Sequence, residues 1–167
     1  MENVYLTGEV DELFVANGRE EIRRAIGRGG PGTELKISIN SGGGSVFDGL
    51  DLFGFIREVS NSGYKITTVA SGYCASMAGV LVQAGDVRQI RKDSYIHLHE
   101  AASMGQGKAS ELSDQAQLLE RLTKQLLQIY DDRSVLSYGE IFEKVNRQEW
   151  WLSAREALEV GFVDEII

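Results

Sequence analysis

The chain has one cysteine, Cys74, and two histidines, His97 and His99, and it contains no apolar run of the roughly 18 residues that a membrane crossing requires. A lone thiol excludes an intrachain disulfide and a cysteine-rich metal site, and it is compatible with a reducing, cytoplasmic setting. The opening Met1-Glu2-Asn3-Val4 lacks the basic-then-apolar order of a secretion signal, so the sequence reads as cytoplasmic with no membrane partner. Cations are scarce as well: 17 Lys and Arg stand against 25 Asp and Glu, for a net charge of -8. Phosphate backbones are bound by clustered Lys and Arg, so nucleic acid is not an expected partner. Aliphatic and aromatic residues make up 43% of the chain and charged residues 25%, the balance of a folded globular protein. A length of 167 residues fits one domain, 1–167, with one core.

The periodicities alternate between two and 3.6. Val4 to Val10 has the rough alternation of a first strand, and Glu20 to Ile26 has helical spacing before the breaker cluster Gly29-Gly30-Pro31-Gly32. Leu35 to Ile39 alternates strictly, then enters the loop Asn40 to Ser45 and a helical segment from Val46 to Val59. Lys65 to Ala70 repeats the strand signal. Ser71-Gly72-Tyr73 reads as a loop, and the small-residue run Cys74 to Ala84 as a tightly packed helix. Ser94 to His99 is a strand candidate. Gly107 to Asp132 predicts a long helix with Leu112, Leu119, Leu122, Leu126 and Ile129 on one stripe. Helices follow over Tyr138 to Val145 and Ala154 to Val160, and Phe162 to Ile167 closes the chain as a strand. Such alternation predicts an α/β domain with largely parallel strands and crossover helices.

Two loop-to-helix junctions carry chemistry. Gly42-Gly43-Gly44 offers backbone N–H groups at a helix start, where an anion or oxyanion is held, or it is simply a tight turn. Nucleotide versions of such a loop do not fit: no Gly-Lys-Ser/Thr follows, and Phe47 occupies the place of a third dinucleotide glycine. At the second junction, Gly72 to Gly79, Ser76 sits among residues too small to crowd a substrate backbone. It is either a packing residue or an exposed nucleophile whose helix N-terminus favours a tetrahedral oxyanion. Cys74 and Ala78 fill the glycine positions of the hydrolase elbow, so this is not that motif. His97 and His99, two apart, share one face of a strand and supply a candidate base. A metal site would need further ligands, and no carboxylate stands in a recognised metal motif with them.

Taken together, these segments resemble the Clp protease proteolytic subunit family, phage-encoded members included. Ile39 to Val46 is similar to the family's Ile-Asn-Ser-Pro-Gly-Gly-Ser-Val loop, with Gly42 in the proline place. Ala75-Ser76-Met77-Ala78 and the later Ala84-Gly85 are similar to its nucleophile segment and helix end. Ser153 to Asp164 resembles the closing Ser-Ala-x-Glu-Ala-x-x-Tyr-Gly-Leu-Val-Asp, and Val4 to Val10 the first core strand. The resemblance implies a crotonase-like α/β fold of repeated strand-strand-helix units with a protruding handle helix over about 107–133. It implies Ser76 as nucleophile and His99 as general base, because His99 meets both family spacings, from Ser94 and to Gly107-Lys108-Ala109. His97 meets neither and is assigned as a strand neighbour, the reversed pair being the alternative. Glu149, four residues before Ser153-Ala154, takes the place of the family's aspartate. The N–H groups of Gly44 and Met77 are the implied oxyanion hole, with Gly43 and Ser45 beside them contacting substrate.

The implied activity is serine endopeptidase cleavage of peptide or protein substrates inside a homo-oligomeric ring, a heptamer or stacked rings, without metal or organic cofactor. The first core strand begins at Val4, where family members usually carry an N-terminal extension that receives an AAA+ unfoldase. The resemblance therefore leaves open an unfoldase partner or a phage-type role in maturing capsid or scaffold proteins. The remaining alternatives are a catalytically silent ring subunit and a crotonase-like acyl-thioester enzyme.

Overall fold

The computed structural model describes residues 1–167. The chain alternates strand and helix: β1 (Glu2–Thr7), α1 (Glu12–Gly29), β2 (Glu34–Ser41), α2 (Val46–Asn61), β3 (Lys65–Ala75), α3 (Met77–Val82) and β4 (Val87–Ile90). Then follow β5 (Tyr95–Leu98), α4 (Ala109–Asp131), α5 (Tyr138–Val145), β6 (Trp150–Ser153), α6 (Ala154–Glu159) and β7 (Glu165–Ile166). Side-chain oxygens mark several helix starts by accepting otherwise unpaired first-turn N–H groups. Asp11 accepts from Phe14, Ser45 from Asp48, and Ser137 and Ser153 form capping boxes with Glu140 and Glu156.

Strands β1-β2-β3-β4-β7 pair in parallel in that order, and crossover helices between parallel neighbours give the α/β architecture. β5 is parallel to β3, and β6 is antiparallel to β5. The alternating segments predicted for β2 bury Leu35, Ile37 and Ile39 completely, and α1 and α2 lay Ile22, Ala25, Leu52 and Ile56 over the sheet. Each such aliphatic side chain contributes about 1.5–3 kcal/mol relative to exposure.

The main departure from the periodicity lies in β3. Residues 71–73 do not break it: the strand runs on to Ala75, and the helix after it is confined to Met77–Val82 instead of Cys74 to Ala84. Gly72, at φ 71°, bends the strand so that it changes partner, from β4 at Thr67–Ala70 to β5 at Tyr73–Ala75. The Gly72 N–H donates to Ser94 Oγ (2.8 Å), which fixes the bend to the start of β5. This switch delivers Ser76 to the point where β3, β5 and α3 meet. α1 begins at Glu12, well before the expected Glu20, and β4 and β6 are strands that the alternation did not reveal.

One half-buried ion pair ties the C-terminal segment to the sheet. Arg88 on β4 is 5% exposed and grips Asp164 through Nη2 (2.5 Å) and Nε (3.1 Å), while Nη1 donates to buried Gln83 (2.8 Å). Burial pushes the Asp164 carboxyl up. Hydrogen bonds from the Arg88 side chain and backbone, with the charges of Arg88 and Arg133, outweigh it and hold the group below the usual carboxylate range. Arg88→Met is expected to cost about 2 kcal/mol, between the values for exposed and fully buried pairs. Because the folded-state pKa is the lower one, the pair stabilises the fold above the unfolded value of about 3.9, and its contribution fades as pH falls through the folded value. Urea midpoints of wild type and variant should therefore differ at pH 7 and converge in acid.

Candidate active site

Ser76 stands between β3 and α3 with φ 52° and ψ -124°, a strained conformation for a residue with a side chain. Its N–H donates to the His97 carbonyl on β5 (2.8 Å), which locks the turn to the neighbouring strand. The hydroxyl makes no capping bond, so it is left for other work. The N–H groups of the first α3 turn, beginning at Met77, have no acceptor one turn earlier within that helix.

The glycine loop packs directly on this turn. A Cβ at Gly43 would lie 2.7 Å from the Ala75 carbonyl oxygen, 2.8 Å from Ser76 Cβ and 3.0 Å from the Met77 nitrogen. Glycine is thus demanded by contact as well as by its φ of 89°. Gly44, at φ 148°, is pressed against Val10, where a Cβ would come within 2.3 Å of the carbonyl oxygen. The Val10 N–H donates to the Gly43 carbonyl and the Ser45 N–H to the Val10 carbonyl (2.8 and 2.7 Å), so the Gly44 peptide is clamped from both sides.

Ser76 and His99 line one cleft of about 200 Å³ together with Gly42, Gly44, Val46 and Leu126. No hydrogen bond joins the Ser76 hydroxyl to the His99 ring. The cleft is mostly apolar, with Val80, Leu98 and Leu127 in its walls. A second, larger cleft of about 610 Å³, lined by Glu9, Asn40 and Tyr73, shares Gly42 and Gly44 with it. Cys74, the one other candidate nucleophile nearby, is buried, and burial pushes its thiol up to about 12 despite an opposing backbone hydrogen bond from Ser71. It is inert at neutral pH.

The carboxylate expected as the acid is placed differently from the histidine expected as the base. Glu149, just before β6, puts Oε2 2.5 Å from Nε2 of His97, and no hydrogen bond links it to His99. His97 is buried, stacks on Trp151 (centroids 4.2 Å apart, 20° between planes) and lies 5.3 Å from the His99 ring at the same tilt. Burial pulls the His97 pKa down, opposed by the hydrogen bond and charge of Glu149 and reinforced by His99. The spacing of two residues put both imidazoles on one strand face. The contact of Glu149 with the first of them depends on the antiparallel register His97↔Trp151, which single-chain spacing does not disclose. No group of three or more His, Cys, Asp or Glu forms a metal cage, and no helix is long and apolar enough to cross a membrane.

A sequence profile of the family described as Clp protease matches residues 5–167. The ATP-dependent Clp protease proteolytic subunit of Bacteroides fragilis (strain NCTC 9343) is 31% identical over 166 residues, which cover 98% of this chain and 78% of that protein. The proteolytic subunit 3 of Rhodococcus jostii (strain RHA1) is 32% identical over 166 residues, 98% of this chain and 80% of that protein. Proteolytic subunit 2 of Tropheryma whipplei (strain Twist) reaches 36% over 138 residues, 81% of this chain and 74% of that protein. With the profile matching almost the whole length and the parallel sheet built as described, the chain belongs to the Clp protease family and has its crotonase-like α/β fold.

Proposed function

We propose that this protein is a serine endopeptidase in which Ser76 attacks a peptide carbonyl and His99 is the general base. The observation that carries the reading is the convergence at the head of α3: a strained, uncapped Ser76, a glycine loop in contact with it, and His99 across the same cleft. In the reaction, Ser76 Oγ bonds to the carbonyl carbon as its proton passes to His99. The tetrahedral oxyanion is met by the N–H groups of Gly44 and Met77. His99 returns the proton to the leaving amine as the C–N bond breaks, and water, deprotonated by His99, then releases the acyl group from Ser76. Glu149 supplies the carboxylate of the array. Gly43 and Ser45 flank the substrate backbone, and the apolar cleft walls favour an apolar side chain before the cleaved bond.

The relatives are named as subunits of an ATP-dependent protease, and several features fit subunit assembly here. Tyr5, Leu13 and Phe47 are each more than 60% exposed, and Leu112 and Leu118 leave the first half of α4 with apolar groups in solvent. Only its second half, with Leu122, Leu126, Leu127 and Tyr130, is buried on the core. Exposed leucines along one helix fit a contact surface if they form a contiguous patch. We read α4 as a handle between subunits of a cytoplasmic ring, with an ATP-driven unfoldase as the partner that delivers protein chains.

The test is fluorophosphonate labelling of the purified native particle, with peptide mapping of the adduct and light scattering on the same sample. An adduct on Ser76 in a ring-sized particle is expected. A ring-sized particle that stays unlabelled would identify a catalytically silent subunit.

A further inference from the structure

The carboxylate expected as the acid, Glu149, is hydrogen-bonded to the wrong histidine for a simple Ser-His-acid relay. Glu149 contacts His97, and His97 in turn stacks with His99, the ring that shares a cleft with Ser76. A carboxylate only accepts hydrogen bonds, so the proton of a neutral His97 sits on Nε2, toward Glu149. That leaves Nδ1 as a buried nitrogen with no hydrogen-bond partner. Trp151, the cross-strand neighbour of His97, lies against its ring and fixes its plane. Glu149, His97 and His99 are therefore a contiguous chain of one hydrogen bond and one ring stack, anchored by an aromatic face.

Resting on the peptidase reading above, we infer that His97 is a positioning residue: it holds Glu149 and presents a fixed ring face to His99, so that the acid acts on the base through His97. When His99 takes the Ser76 proton it becomes a cation. A flat neighbouring ring polarised by a carboxylate at its Nε2 stabilises that cation and keeps His99 from rotating out of the cleft. The charged groups that act on His97 are Glu149 and His99, so few other charges blur its effect.

The experiment is a double-mutant cycle on the assembled full-length protein, using His97→Phe, Glu149→Gln and both together. The substrate is a fluorogenic peptide amide with leucine before the cleaved bond. Phenylalanine keeps a flat ring and removes both nitrogens. Each single change is expected to lower kcat by about tenfold with little change in KM, and the double variant to be no slower than the worse single, since groups acting as a unit are not additive. The acid limb of the kcat/KM profile should move to lower pH in all three, because the protonated base loses stabilisation. Wild-type kcat and pH profile in His97→Phe beside a slow Glu149→Gln would overturn the inference, because the acid would then reach His99 directly. A faster His97→Phe would overturn it too, by showing that His97 withholds the acid. Should the phenylalanine variant not assemble, His97→Gln keeps a donor at the Nε2 position and runs the same cycle, where additive losses count against the inference. Wild-type protein that neither cleaves the peptide nor takes up fluorophosphonate would remove the peptidase reading and this inference with it.

Discussion

Ser76→Ala is expected to abolish peptide cleavage, lowering kcat/KM by about 10⁴-fold or more, while the particle stays assembled and melts near the wild-type temperature. The hydroxyl caps nothing, so its loss removes no structural bond, and alanine leaves the small-residue packing around the turn unchanged. What disappears is the hydroxyl proposed as nucleophile, which lines one cleft with His99, while Cys74 is buried and protonated. The same position allows a sharper test of strain. Ser76→Gly should be equally inactive yet more stable by about 1 kcal/mol, since glycine adopts a positive φ without a Cβ penalty. For a domain of this size that is roughly a 2–4 °C rise in Tm by calorimetry. A serine kept where glycine would fold better is the signature of a site retained for reaction. Retained cleavage in Ser76→Ala would move the nucleophile elsewhere and undo the acyl-transfer reading.

How much of this was legible in the sequence depends on the length scale of each signal. α5 lies where its apolar spacing predicted, Tyr138–Val145, and α2 starts at the expected Val46, because capping by Ser45 and Ser137 and helical periodicity are written within a few residues. β3 past Ala70 was not legible. Gly72 looks like a breaker, and it is the pairing of Tyr73–Ala75 with Tyr95–His97, more than twenty residues onward, and of Cys74 with Ser41, that continues the strand to Ala75. β4 is four residues long and includes a buried arginine whose partner, Asp164, is near the far end of the chain, so its alternation carried almost no apolar signal. The same limit applies at the site. His99 was marked by its distances to Ser94 and Gly107, and the structure sets it in the Ser76 cleft. The bond between Glu149 and His97 spans 52 residues and rests on the β5–β6 register. Trp151 was visible two residues after Glu149, but its role as the platform under His97 belongs to that register alone.

The second large effect is expected at Gly43, which touches no proton in the reaction. Gly43→Ala should reduce kcat by about 10²–10³-fold, the loss typical of an oxyanion hole that no longer converges. The added Cβ meets two backbone atoms and Ser76 Cβ at 3.0 Å or less, and none of these is the movable end of a flexible side chain. Either the loop or the nucleophile turn must therefore retreat, and with it the spacing between the N–H groups of Gly44 and Met77. Backbone strain at φ 89° adds a stability cost of about 1–2 kcal/mol, so Tm must be measured beside kcat to separate the two effects. Gly54→Ala on α2 is the matching control. Its Cβ meets open space and its backbone is helical, so stability should rise slightly, by about 1 kcal/mol, and kcat should not change. In the proposed mechanism the phosphonyl oxygen would occupy the same N–H pair as the peptide oxyanion, so fluorophosphonate labelling of Ser76 should slow in Gly43→Ala in step with kcat. Labelling at the wild-type rate with kcat depressed would show that the loop positions the substrate backbone and that the oxyanion is stabilised by other groups. The glycine run would then be a binding strand, with the head of α3 alone facing the charge.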